Sequence, residues 1–236
     1  MKAFLITAPH ETQRREQVSH LFKTLPFFVH TVDAVYPTHH RIPFQEKLIA
    51  LSEERTGKAL LPGELGCLMS HRKIWRSIVR EQGNEQQHFL ILESDSQLND
   101  PSVLSTYFSE LTAEKDLFFW GAWEGHMKLF LSSKSGLQSQ YTIGEPFIKT
   151  TYCTYGYSLN KNAARLLLKR TARISYPVDQ FKRFFKQNEL RMGGILPEVI
   201  TGNNSESTIR ERESKLLKKL FLHVLDFKNN LICNLR

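Results

Sequence analysis

The sequence predicts an α/β fold, a central and mostly parallel sheet flanked by helices, and three observations carry that prediction. Short apolar runs alternate along the chain with longer segments of helical periodicity. One run, His88 to Leu92 (HFLIL), is continuously apolar after its histidine, the pattern of a strand buried on both faces. The 236 residues, 41% hydrophobic and 24% charged, suffice for one large domain with its own core, and no repeat, low-complexity tract or composition break divides them.

Taken in order, Lys2 to Thr7 (KAFLIT) reads as a strand stopped before Pro9. Residues 11–25 are polar and helix-compatible, and PFFVHTVDAV supplies a second strand. YPTHHRIP is a loop, and residues 44–54 form a short helix. A longer helix starts at Pro62, where proline tolerates the first turn and Glu64 suits the positive helix end; Leu65, Leu68, Ile74, Trp75 and Ile78 repeat on one face. HFLIL follows, and the Asn99–Asp100–Pro101 sequence breaks it. Further strands are predicted over 116–120, 147–152 and 155–159, with SSKSGLQSQYTIGEP as an aperiodic loop and mobile lid. Asn160 caps a helix running to Arg170, and another helix starts at Pro177.

No apolar stretch reaches the roughly 18 residues of a membrane span. The opening MKAFLITAPHETQRREQ lacks a signal-peptide core and cleavage site, which predicts a cytoplasmic chain. Cys67, Cys153 and Cys233 are odd in number and widely spaced, so neither a disulfide framework nor a zinc knuckle is expected. The formal charge of +8 is concentrated between Lys161 and Arg191, with nine basic residues against Asp179 and Glu189. Either an anionic partner or a solvated basic face accounts for that. No helix-turn-helix, zinc or RNA-recognition pattern accompanies the charge, so nucleic acid is not expected as a partner.

Glu93, Ser94 and Asp95 follow HFLIL directly. Ligands of open α/β sheets bind beyond the carboxyl ends of the strands, and extended residues i and i+2 point the same way. Glu93 and Asp95 are therefore candidate ligands for Mg²⁺ or Mn²⁺; the alternative is that they cap a turn. In PGELGCLMSHRKIW, Gly66 and Cys67 allow another backbone to approach, while Ser70 and His71 read as site residues or as packing residues.

Those two segments, PGELGCLMSHRKIW and FLILESDSQL, resemble the signature of glycosyltransferase family 25, the lipopolysaccharide-biosynthesis glycosyltransferases. FLIT with Arg14 and Arg15, VDAV, TYGYSLNKNAARLLL, PVDQF and SESTI occur in the family's order, so the resemblance spans about residues 1–210. It implies a GT-A-like nucleotide-sugar-binding domain over 1–210 and a separate tail over 211–236. It implies inverting transfer of a hexose, galactose from UDP-galactose being the family-weighted donor, to a lipid-linked oligosaccharide acceptor with divalent-metal assistance. The family motif usually reads Glu-Asp-Asp, and Ser94 stands at its middle position. That departure leaves open a fold-retaining, weak or inactive relative that binds nucleotide-sugars or anions. By the same resemblance, Asp179 of PVDQF is the candidate base, placed by the sequence at a helix start whose positive dipole end favours its charged form, and Glu206 of SESTI is its substitute. Thr7, Arg14, Arg15, Ser70, His71, Tyr155 and Gly156 are donor-side candidates.

From Ser214 the chain reads SKLLKKLFLHVLDFKNNLICNLR. At about 100° per residue, Leu216, Leu217, Leu220, Phe221 and Val224 share one helical face and Lys215, Lys218 and Lys219 another. The sequence predicts an amphipathic helix that lies peripherally on an anionic inner-membrane surface or packs its apolar face on the domain or a second subunit.

Overall fold

The computed structural model describes residues 1–12, 15–16, 25–37, 39, 42–122, 125–202 and 215–236, and the side chains of its last helix from residue 225 onward. The helix-compatible stretch predicted over 11–25 falls largely outside the described residues, as do Arg14 and Glu206.

Eight strands form one sheet in the order β2-β1-β3-β8-β5-β9-β7-β6. They are β1 (Lys2–Thr7), β2 (Phe28–Asp33), β3 (Phe89–Glu93), β5 (Leu117–Phe119), β6 (Ser135–Leu137), β7 (Tyr141–Gly144), β8 (Gly156–Leu159) and β9 (Met192–Leu196). A two-stranded ribbon pairs β4 (Ser96–Leu98) with β10 (Ile200–Gly202). The helices are α1 (Gln45–Thr56), α2 (Pro62–Arg80), α3 (Pro101–Thr112), α4 (Lys161–Arg170) and α5 (Lys215–Leu235).

The sheet is mixed, which corrects the expectation of a mostly parallel one. β1 pairs parallel with β2 and β3, and β5 with β9, but β8 enters antiparallel between β3 and β5, and the β6–β7 hairpin joins β9 antiparallel. The segment read as a mobile lid is that hairpin. Residues 147–152 form a 3-10 turn at Ile148–Thr150 instead of a strand, and the helix predicted from Pro177 is a tight turn closed by Gln180 N–H on the Pro177 carbonyl, followed by a 3-10 turn at Phe181–Arg183. Core demand explains the second difference: Val178, Phe181, Phe184 and Phe185 all bury their side chains, and Phe181 meets Phe119 and Tyr157 edge-on.

Strand alternation divides the core. Phe4, Ile6, Phe89 and Ile91 face α2 and α4, packing with Trp75, Ile78 and Leu167; Ala3, Leu5, Leu90 and Leu92 face α3, packing with Val103, Leu104 and Phe108. Asn160 caps α4 as predicted, its side chain accepting from Ala163 N–H at 3.0 Å.

His88, buried at the entrance to β3, donates Nε2–H to the Lys115 carbonyl at 2.8 Å while Nδ1 meets the Ser158 hydroxyl at 3.3 Å. Burial pushes its pKa from 6.5 to about 4, against the opposing pull of the Lys115 carbonyl and Asp116. The unfolded chain therefore binds a proton that the folded chain rejects, so this contribution to stability is complete above pH 6.5 and declines as pH falls towards 4. The slope approaches about 1.4 kcal/mol per pH unit for one proton. Urea unfolding at pH 7.5 and pH 5 is expected to show a larger acid loss in the native chain than in His88→Gln; equal losses would refute the assignment.

Candidate functional site

β1, β2 and β3 run parallel, so their carboxyl ends, Thr7, Asp33 and Glu93, lie at one edge of the sheet. Because β8 runs the other way, with Gly156 opposite Leu92, its approach through Cys153 and Thr154 reaches the same edge. A cavity of about 330 Å³ opens there. Ile6, Ala8 and Glu11 form one wall, Ala34 to Pro37 a second, the start of α2 a third, and Glu93, Ser94 and Asp95 the acidic floor. Gly66 sets how closely α2 can approach: a Cβ there would lie 2.4 Å from the Val35 carbonyl oxygen. Ser70 ties the same contact, accepting from Val35 N–H and donating to the Gly66 carbonyl, each at 2.8 Å.

Glu93 is held from behind by a hydrogen-bonded chain. The Trp75 indole can only donate, and it donates to the Tyr157 hydroxyl at 3.0 Å. Tyr157 is then free to donate to His71 Nδ1 at 2.8 Å, which places the ring proton on Nε2, facing Glu93 Oε1 at 2.8 Å. Thr154 donates to that oxygen at 2.5 Å and the Cys67 thiol at 3.6 Å. Burial alone would raise the Glu93 pKa, but these donors outweigh it and hold the carboxyl below its ordinary range, so it is ionised at neutral pH.

Burial, then the charges of Glu93, Asp179 and Asp95, push the Cys67 thiol well up. Burial, then Asp179, Glu93, Asp95 and Glu198, do the same to Cys153. Two thiols thus register the same convergence: Asp179, some 84 residues beyond Asp95 in the chain, acts in the same pocket region. Asp179 is half-buried and lies in the tight turn, so the helix-dipole argument for its charge state does not apply.

The ligand atoms of Cys67, His71 and Glu93 lie within 4.8 Å of one another and could hold a metal ion. In the hydrogen-bonded arrangement, however, Cys67 and His71 both present protons to Glu93 Oε1, and the thiol resists ionisation. The donor set that suits a hard cation is the oxygen set on the floor: Glu93 through Oε2, Asp95 and the Ser94 hydroxyl. The Ser94 hydroxyl donates to Glu11 Oε2 at 3.4 Å, which brings a third carboxylate to this floor.

Of the donor-side candidates, Ser70 lines the cavity, and His71 lies fully buried behind Glu93. Thr7 is buried at the end of β1, with no hydrogen-bond partner for its hydroxyl among the described residues, and Arg15 is exposed. Tyr155 donates its hydroxyl to the Ala122 carbonyl and is buried. The space of the missing Gly156 side chain is filled by Ile200, whose Cγ2 would lie 2.6 Å from a Cβ there. Buried packing therefore accounts for both positions. Nothing in the sequence marks Glu11, Tyr36 or Thr154; the fold brings Glu11 to Ser94, Thr154 to Glu93 and Tyr36 to the cavity wall.

The model of glycosyltransferase family 25 (LPS biosynthesis protein) matches residues 1–182. With about three-quarters of the sequence matched, the chain belongs to glycosyltransferase family 25. No curated protein matches the sequence.

Proposed function

We propose that this chain is an inverting hexosyltransferase of GT-A type that takes galactose from UDP-galactose and delivers it to a lipid-linked oligosaccharide of lipopolysaccharide biosynthesis. The observation that carries the reading is the acidic floor of Glu93 and Asp95 in a cavity beyond three parallel strands. Family membership supplies the reaction class. The donor lies along the cavity, its base against Tyr36 and its diphosphate over the acidic floor. Glu93 and Asp95 would hold Mn²⁺ or Mg²⁺, which when bound would supply positive charge to offset that of the departing diphosphate. Asp179 accepts the proton of the acceptor hydroxyl as its oxygen forms the new bond to the anomeric carbon, and the electron pair of the old carbon–oxygen bond leaves with the nucleoside diphosphate. The His71–Tyr157–Trp75 chain fixes Glu93 so that its free oxygen needs no reorganisation. Turnover of a nucleotide-sugar panel, with thermal stabilisation by each donor as the binding readout, tests the reading. Manganese-dependent turnover of UDP-galactose supports it; stabilisation by no uridine nucleotide would overturn it.

Glu11 compensates for Ser94 in this reading, supplying from another segment the charge that the family motif usually carries at its middle position. Glu11→Gln is expected to weaken Mn²⁺ affinity about tenfold, the equivalent of about 1.4 kcal/mol. Ser94→Asp in the Glu11→Gln background restores it, whereas Ser94→Asp alone sets two carboxylates against each other. Manganese titrations of the three variants check this, and equal affinities would remove Glu11 from the site.

A further inference from the structure

α5 packs with the opposite face from the one its sequence suggests. Cys233 and Asn229 are buried, Cys233 against Phe130 and Phe147, and Asp226 pairs with His126 at 3.1 Å. Arg236 closes the end of the helix over the Phe130 ring at 4.4 Å. On the outer face Phe227 is 74% exposed, Leu231 53% and Leu235 80%. At about 100° per residue these three lie within an arc of about 80°, and the arc is about 180° from Asn229 and Cys233. Leu217, Leu220 and Val224 occupy that arc of the helical wheel in the sequence upstream. In the described half of the helix Asn229, Ile232 and Cys233 make the contact, and of the two alternatives the sequence leaves open, packing of the apolar stripe on the domain is not the one seen for Phe227, Leu231 and Leu235.

We infer that this outward stripe docks α5 in the plane of an anionic phospholipid surface. The helix carries four basic residues, Lys215, Lys218, Lys219 and Lys228, with Arg236 just beyond its end, against the single acid Asp226, which is already engaged by His126. Lys228 is exposed at the edge of the stripe, and on the domain Lys128 and Lys134 act electrostatically on the neighbouring Cys233 thiol. An apolar stripe with Lys228 at its edge, on a helix of net positive charge, fits the boundary between acyl chains and acidic headgroups. A second copy fits less well, because pairing two such stripes brings like charges together. Among the described residues no helix is long and apolar enough to cross a membrane, so the helix lies on the surface instead of spanning it.

The test is co-sedimentation of the full chain with vesicles of phosphatidylglycerol and phosphatidylcholine, against pure phosphatidylcholine. The native chain is expected to partition to the anionic vesicles, with loss at high salt. Phe227→Ser/Leu231→Ser/Leu235→Ser should bind at least tenfold more weakly at unchanged melting temperature, since all three side chains already face solvent. Phe227→Trp should report a blue-shifted emission quenched by brominated lipid. Equal partitioning of the native and triple variants would overturn the proposal. A native dimer that the triple variant dissociates, without vesicle binding by either, would assign the stripe to a second copy instead.

Discussion

Asp95→Asn is expected to lower sugar transfer by about 10²–10³-fold while leaving the melting temperature within a few degrees of the native chain. Asparagine keeps the size of the side chain and most of its hydrogen-bonding capacity, so the change removes charge with little change in shape. The charge matters because departure of the nucleoside diphosphate with the bonding electron pair adds a negative charge to a diphosphate that already carries two, and the floor would hold the cation that offsets it. Glu93 cannot do this alone: its Oε1 is committed to His71, Thr154 and Cys67. Asp95 is then the floor carboxylate on which ion binding most depends, and the loss should appear chiefly in turnover at saturating donor. Raising the Mn²⁺ concentration should recover part of it if Asp95 is a ligand. Unchanged turnover in the purified variant would refute the assignment, and a collapse of the melting temperature would identify Asp95 as structural.

What the sequence discloses about this site follows from how local each feature is. α2 is legible because Pro62, Glu64 and the repeat from Leu65 to Ile78 are all within one helix, and the structure gives Pro62–Arg80. β3 and its acidic turn are legible for the same reason. The antiparallel half of the sheet is not. MGGIL has two glycines and reads poorly as a strand, yet a Cβ at Gly193 would lie 2.5 Å from the Phe118 ring, and one at Gly194 would crowd the Met127 sulfur at 3.1 Å. The polar hairpin of β6 and β7 offers little periodicity because it ends the sheet, where Leu137, Tyr141 and Ile143 are the residues that turn inward. His71 could be noticed in the sequence but not interpreted, because its two partners, Glu93 and Tyr157, lie 22 and 86 residues away and meet only when β8 inserts beside β3. The Glu11–Ser94 contact spans 83 residues and depends equally on the fold. The apolar tail shows a further limit: helical periodicity identifies a stripe and says nothing about which way it faces.

Asp179→Asn is expected to reduce turnover by about 10²–10⁴-fold with donor affinity retained. The sequence suggested a helix start whose dipole would keep the carboxylate charged, whereas Asp179 sits in a turn between buried Val178 and buried Phe181. What recommends it is place: its charge acts on Cys67, which lines the cavity, and it is the first charge to act on Cys153 after burial. A base for the acceptor hydroxyl must stand near the anomeric carbon yet on the side away from the diphosphate, and Asp179 belongs to a different segment from Glu93 and Asp95. The neutral amide keeps the shape and can still hydrogen-bond to the acceptor, so KM for both substrates should move little while kcat falls. The native rate should rise with pH as the base ionises, and the residual rate of the variant should lose that dependence. Calorimetry with UDP separates the two ways of failing. If nucleotide affinity collapses together with turnover, Asp179 belongs to the donor site; if neither changes, the base is elsewhere, and Glu206→Gln, in the SESTI segment, becomes the variant to measure.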